Sequence, residues 1–134
     1  MTTDARTWIV AGLELAAALG IVAFWTTWCR TTHDEEWLPQ GYVQHERAFL
    51  LADGVLAILL AASAVLLVTS EPLGWALCLV CAGMLAFLGL LDAAYFWQTG
   101  LFARDRGGVT NGAVVAGVLL LAVVLVAAFL SRGG

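Results

Sequence analysis

The chain is expected to fold as an all-α bundle of four transmembrane helices, running up-down-up-down with both termini on the same side. Three observations predict this. Hydrophobic residues make up 62% of the sequence and charged residues 12%, about half the charged share of a soluble domain. The mean hydropathy is +0.93. The apolar residues fall into four runs separated by polar stretches, and 134 residues hold about four segments of the ~20 residues that cross a bilayer. The spans are placed at about 7–28, 45–68, 75–97 and 109–130, within a single integral membrane domain covering 1–134.

Span 1 carries Glu14, Ala18, Ile21, Trp25 and Trp28 at alternating spacings of four and three, which places them on one helical stripe. The run is longer than the apolar region of a signal peptide and contains an acid, so it reads as a retained span. Loop 1 follows, with His33, Asp34, Glu35, Glu36 and Trp37, and Pro39 and Gly41 stop any helix from continuing through it. Span 2 opens on His45-Glu46-Arg47-Ala48-Phe49-Leu50-Leu51-Ala52-Asp53. Glu46 and Asp53 are seven residues apart, so they share a face roughly 10 Å apart along the axis. Glu46 is expected near the membrane surface and Asp53 inside the bilayer.

Thr69 to Gly74 reads as a tight turn, making spans 2 and 3 an antiparallel hairpin. Span 3 carries Asp92 near its end, followed by Tyr95, Phe96 and Trp97. Loop 3 holds Arg104, Asp105 and Arg106. Span 4 opens on Thr110-Asn111-Gly112 and is then almost wholly aliphatic. Its pairs Gly112/Ala116 and Ala113/Gly117 allow close approach of another helix, so span 4 is the expected docking face for a second copy or a membrane partner. Trp28, Trp75 and Trp97 fall where aromatic belts form.

Composition excludes several functions. The net charge is −4 and there is no Lys, which argues against a nucleic-acid partner. Three cysteines, Cys29, Cys78 and Cys81, make no disulfide framework. Cys78 and Cys81 form a CxxC like that of the vitamin K epoxide reductases. They lie on the terminal side of the bundle, however, and Cys29 lies on the loop side, so the pair reads as core. No HExxH or paired-His spacing joins His33 or His45 to the acids. No metal and no cofactor are expected. The loop side carries Arg30, Arg47, Arg104 and Arg106 against Arg6 and Arg132 on the terminal side. The positive-inside rule therefore leans towards cytoplasmic loops in the cell membrane.

Depth accounting brings the polar residues together. Asp53, Asp92 and Asn111 fall in the loop-side half, with Trp25, Trp28, Phe49, Tyr95 and Phe96, and Glu14 lies deeper. An acid inside a span costs ~2.5–3.5 kcal/mol on insertion scales and marks a functional site by default. A carboxyl group held among apolar side chains can donate a proton to a lipophilic substrate, and aromatic faces stabilise a developing cation. The expected site therefore has Asp53, Asp92 and Glu46 as acid and base. Glu14, Trp25, Trp28, Phe49, Tyr95, Phe96 and Asn111 are expected to contact an isoprenoid- or sterol-like ligand. The plainer reading of Glu14 is a pairing with Ser63 that fixes register.

The segments HERAFLLAD and LLDAAYFWQTG resemble those of a group of small bacterial four-span membrane proteins. The layout is more distantly similar to the EXPERA group of sterol isomerases and to small integral-membrane terpene cyclases. That resemblance implies Asp53, Asp92 and Glu46 as the acids of a cofactor-independent isomerase or cyclase. Two other classes compete with it. Small multidrug-resistance transporters also have four spans and a membrane Glu in the first, as Glu14 is here. An accessory subunit would dock through span 4.

Overall fold

The computed structural model describes residues 3–133. Four long helices follow one another: α1 (Ala5–Arg30), α2 (Tyr42–Val68), α3 (Pro72–Thr99) and α4 (Gly108–Ser131). A short 3-10 turn, Arg104–Arg106, precedes α4. Each helix is long and apolar enough to cross a membrane. The shortest, α4, has 24 residues, or ~36 Å of rise, against a hydrocarbon core of ~30 Å. The helices extend a few residues beyond the spans expected from sequence, because hydropathy marks the lipid-facing stretch while capping marks the helix.

Local chemistry sets the ends. The Asp4 carboxylate accepts from the Thr7 amide at 2.9 Å and from its hydroxyl at 2.7 Å, capping α1. These bonds hold the Asp4 carboxyl below its usual range. At the end of α3, Gly100 takes a left-handed φ of 73° and Leu101 donates its amide to the Phe96 carbonyl at 2.9 Å. This is a Schellman closure with a buried Leu101 behind it. In the α2–α3 turn, Ser70 has φ 61°, Glu71 donates back to the Leu66 carbonyl at 2.8 Å, and Pro72 starts the next helix.

The helices pack in sequence order. α2 packs on α1 and on α3, and α3 on α4, whereas α1 and α4 hardly touch. The main core joins Val10, Ala18, Leu56, Leu60, Leu85 and Leu125. A smaller cluster at the loop end joins Phe96, Leu101 and Val115 with Leu38 of loop 1. The outer surface carries exposed Ile9, Leu51, Ile58, Phe87, Leu120 and Val123, an apolar jacket that suits lipid. The molecule is a multi-pass membrane protein. On the terminal side, Arg6 donates to the Ser131 carbonyl, tying the two chain ends together.

The hairpin depends on a close approach. A Cβ at Gly74 would lie 2.7 Å from the Leu67 amide nitrogen, while one at Gly83 would meet nothing within 4 Å. Gly74→Ala is therefore expected to destabilise the bundle by about 1–3 kcal/mol and Gly83→Ala to leave it nearly unchanged, as read from thermal unfolding in detergent.

Candidate functional site: an acid-lined cavity between the first and last helices

The gap left between α1 and α4 is a cavity of about 440 Å³. Its floor comes from α2 and α3, which bring Glu46, Phe49, Asp53 and Leu56, and Leu85, Gly89, Asp92 and Phe96. Its sides are Trp25 and Trp28 from α1 and Asn111, Val114 and Gly117 from α4. All four helices contribute, and three carboxyl groups stand in a mostly apolar lining.

Each acid has a different setting. Asp53 accepts a hydrogen bond from the indole N–H of Trp25 at 2.8 Å, a cross-helix bond that locks α1 against α2. Trp25 is itself buried and sits edge-on to Phe24 and to Trp28, with ring centres 5.2 and 5.3 Å away. Glu46, expected at the membrane surface, is buried at 6% exposure. α2 begins at Tyr42, and within its half-buried first turns Glu46 points into the cavity. Its Oε1 atom has no hydrogen-bond partner among the described residues. Asp92 is partly buried on α3 and lies close to Glu46. With His45 these two residues bring ligand atoms within 4.8 Å of one another.

The aromatic residues divide into two groups. Trp28 lines the cavity, and its Nε1 atom is buried without a hydrogen-bond partner among the described residues. The His33 ring stacks on Trp28 at 4.2 Å and its Nε2 contacts the Trp28 carbonyl at 3.0 Å, so loop 1 is pinned over this end. Tyr95 does not line the cavity. It stacks on the His45 ring at 3.5 Å and 12° and so acts behind the wall. Asn111 lines the cavity while its amide donates to the Leu101 carbonyl at 2.8 Å, holding the start of α4 to loop 3.

Glu14 stands apart from the cavity, fully buried in the terminal half. Oγ of Ser63 is 2.9 Å from Glu14 Oε1 and 3.0 Å from the Gly74 carbonyl oxygen. The one Ser63 hydrogen is shared between these two acceptors, and Glu14 Oε2 has no hydrogen-bond partner among the described residues. The Cys78 thiol lies beside Glu14. Cys78 and Cys81 are both free and buried, packed in the main core. Glu14, the residue an exchange mechanism would use, is therefore committed to a polar joint between α1, α2 and α3.

Sequence reasoning missed Tyr42 and Thr110 as lining residues. Tyr42 fell outside the expected span, and Thr110 was noticed only as part of the α4 start. It also left His45 unconnected to Asp92, since that pairing crosses two helices and has no sequence spacing.

Removing the joint has a measurable cost. Glu14→Ala leaves Ser63 with one partner and opens a void, and is expected to destabilise by about 2–4 kcal/mol. Glu14→Gln keeps a donor and an acceptor and is expected to lose less than half of that, measured by thermal unfolding in one detergent. Comparison with protein-family models, with curated proteins and with solved structures finds no match to this chain.

Proposed function

We propose that this membrane protein binds a lipophilic molecule, of isoprenoid or sterol-like size, in the cavity between α1 and α4. The observation that carries the proposal is the cavity itself: about 440 Å³, apolar over most of its wall, with Glu46, Asp53 and Asp92 as its acids. Ligand cavities of this kind span ~300–1,000 Å³ and combine an apolar wall with a few convergent polar groups. The weak contact between α1 and α4 gives a chain-like molecule a route in from the bilayer. The carboxyl groups suit a polar or cationic head.

The probes are geranylgeraniol and a farnesyl-chain amine, titrated into protein held in detergent and followed by tryptophan emission. Both are expected to bind saturably, and the amine more tightly because it meets the acids. Gly117 lines the cavity and has open space at its Cβ, so Gly117→Phe should fill the site and weaken binding at least about tenfold. Saturable binding unchanged by Gly117→Phe would place the ligand elsewhere and sink the reading.

A second reading, proton-driven isomerisation or cyclisation of the bound ligand, is favoured by the setting of Asp53. Its carboxyl lines the cavity and accepts the Trp25 indole N–H, and Phe24 and Trp28 pack edge-on with Trp25. A carboxyl group in a cavity that Trp25, Trp28 and Phe49 also line suits a carbocation formed by protonating a double bond. Asp53→Asn is then expected to abolish rearranged product from an isoprenoid alcohol, followed by gas chromatography, while the alcohol still binds. Equal product from Asp53→Asn and the unaltered protein rules this chemistry out.

A further inference from the structure

We propose that His45, Glu46 and Asp92 form a binding site for one first-row divalent metal ion of the zinc or manganese type, at the edge of the cavity that Glu46 and Asp92 line. Each offers one ligand atom, and these atoms lie within 4.8 Å of one another. Around a tetrahedral ion with ligand distances of about 2.1 Å, neighbouring donors sit ~3.4 Å apart. The three side chains therefore close on a cation with shifts of roughly an ångström.

Two independent observations point to a ligand. Glu46 is buried to 6% exposure, and its Oε1 has no hydrogen-bond partner among the described residues. Nε2 of His45 is likewise buried and unpartnered. Unsatisfied polar atoms inside a membrane bundle are costly. None of the six arginines acts on Glu46, Asp53 or Asp92 as a neighbouring charge among the described residues. A divalent ion supplies the missing partner to Glu46 and His45, takes Asp92 as its third ligand, and makes the site neutral, with two carboxylates and one neutral imidazole.

The donor set also selects the ion. One imidazole nitrogen and two carboxylate oxygens suit zinc, manganese or iron(II), whereas magnesium and calcium take oxygen ligands. The His45 ring is held in place by stacking on Tyr95 at 3.5 Å and by Phe49 at 5.1 Å. This gives Tyr95 a positioning role. Three protein ligands leave a fourth position open, and Glu46 and Asp92 both line the cavity. An oxygen of a ligand head group or a water can take that position. The site rests on its own donors, but it also gives the proposed lipophile an anchor and leaves Asp53 free as the acid.

The test uses the full chain in detergent, with Cys29→Ser to remove the exposed thiol. The protein is stripped with EDTA, equilibrated with zinc or manganese chloride, desalted and analysed for metal. About one ion per chain is expected, with affinity lowered at least about tenfold by His45→Ala and by Glu46→Gln. The loop substitution Glu36→Gln should leave it unchanged. Thermal unfolding checks each variant, and Asp92→Asn replaces any that fails to fold. Cobalt(II) loaded into the otherwise unaltered protein should give visible d–d absorption, which needs no ligand variant. Less than about a tenth of an ion per chain with either metal, or occupancy that survives the ligand substitutions, overturns the proposal. Lipophile binding is measured separately on stripped protein. Metal uptake without lipophile binding defeats only the cavity reading, and lipophile binding without metal uptake defeats only the metal site.

Discussion

Polar groups inside a bilayer have no water to turn to, so each must find its partner within the bundle. This constraint sorts the four carboxyl groups that the spans carry. Glu14 meets the Ser63 hydroxyl, which also reaches the Gly74 carbonyl, and becomes part of a joint between three helices. Asp53 takes the Trp25 N–H and becomes a joint between α1 and α2. Glu46 is left with an unpartnered oxygen, facing Asp92 and His45. The two joints hold the helices where they are; Glu14 Oε2 and Glu46 Oε1 are both left without a partner among the described residues, but only Glu46 lines the cavity, where something from outside can reach it.

The packing order explains why such a place exists. Sequential helices joined by short connections pack pairwise, which leaves the first and last to close the ring. Here they do not close along their length: Arg6 and Ser131 meet on the terminal side, and beyond them the cavity separates the two helices. Small residues on the α4 side of the gap, Ala113 and Gly117, keep it open. The stacked His33 and the Leu38 contact cover the loop end. What remains is a compartment with an apolar wall, an acidic floor and a side facing lipid.

The fold was legible because hydropathy needs no tertiary information. Four apolar runs and three polar breaks determine the helices, their alternation and the shared side of the termini. The convergence of Asp53, Asp92 and Asn111 on the loop-side half followed from residue depth alone; Glu14, expected to contact the ligand, instead meets Ser63 as in its plainer reading. Rotation about each helix axis could not be read, and that is where the reading fell short. Glu46 was expected at the membrane surface or as a gate because its turn precedes the apolar run; its burial against the other helices depends on rotation, which depth does not give. Tyr95 looked like a lining residue and instead stacks behind His45. The approach of His45 and Glu46 to Asp92 joins α2 to α3 across the hairpin, and no sequence spacing encodes a contact of that kind.

The central claim is that the space between α1 and α4 is occupied from the lipid phase. The most direct measurement is photolabelling in liposomes with a diazirine-bearing isoprenoid alcohol, with adducts located by mass spectrometry. Adducts concentrated on Trp25, Trp28, Val114, Gly117 and Leu121, and suppressed by excess unlabelled alcohol, are the predicted result. Adducts confined to the outward-facing Ile9, Ile58, Phe87 and Leu120, with no competition, would contradict it.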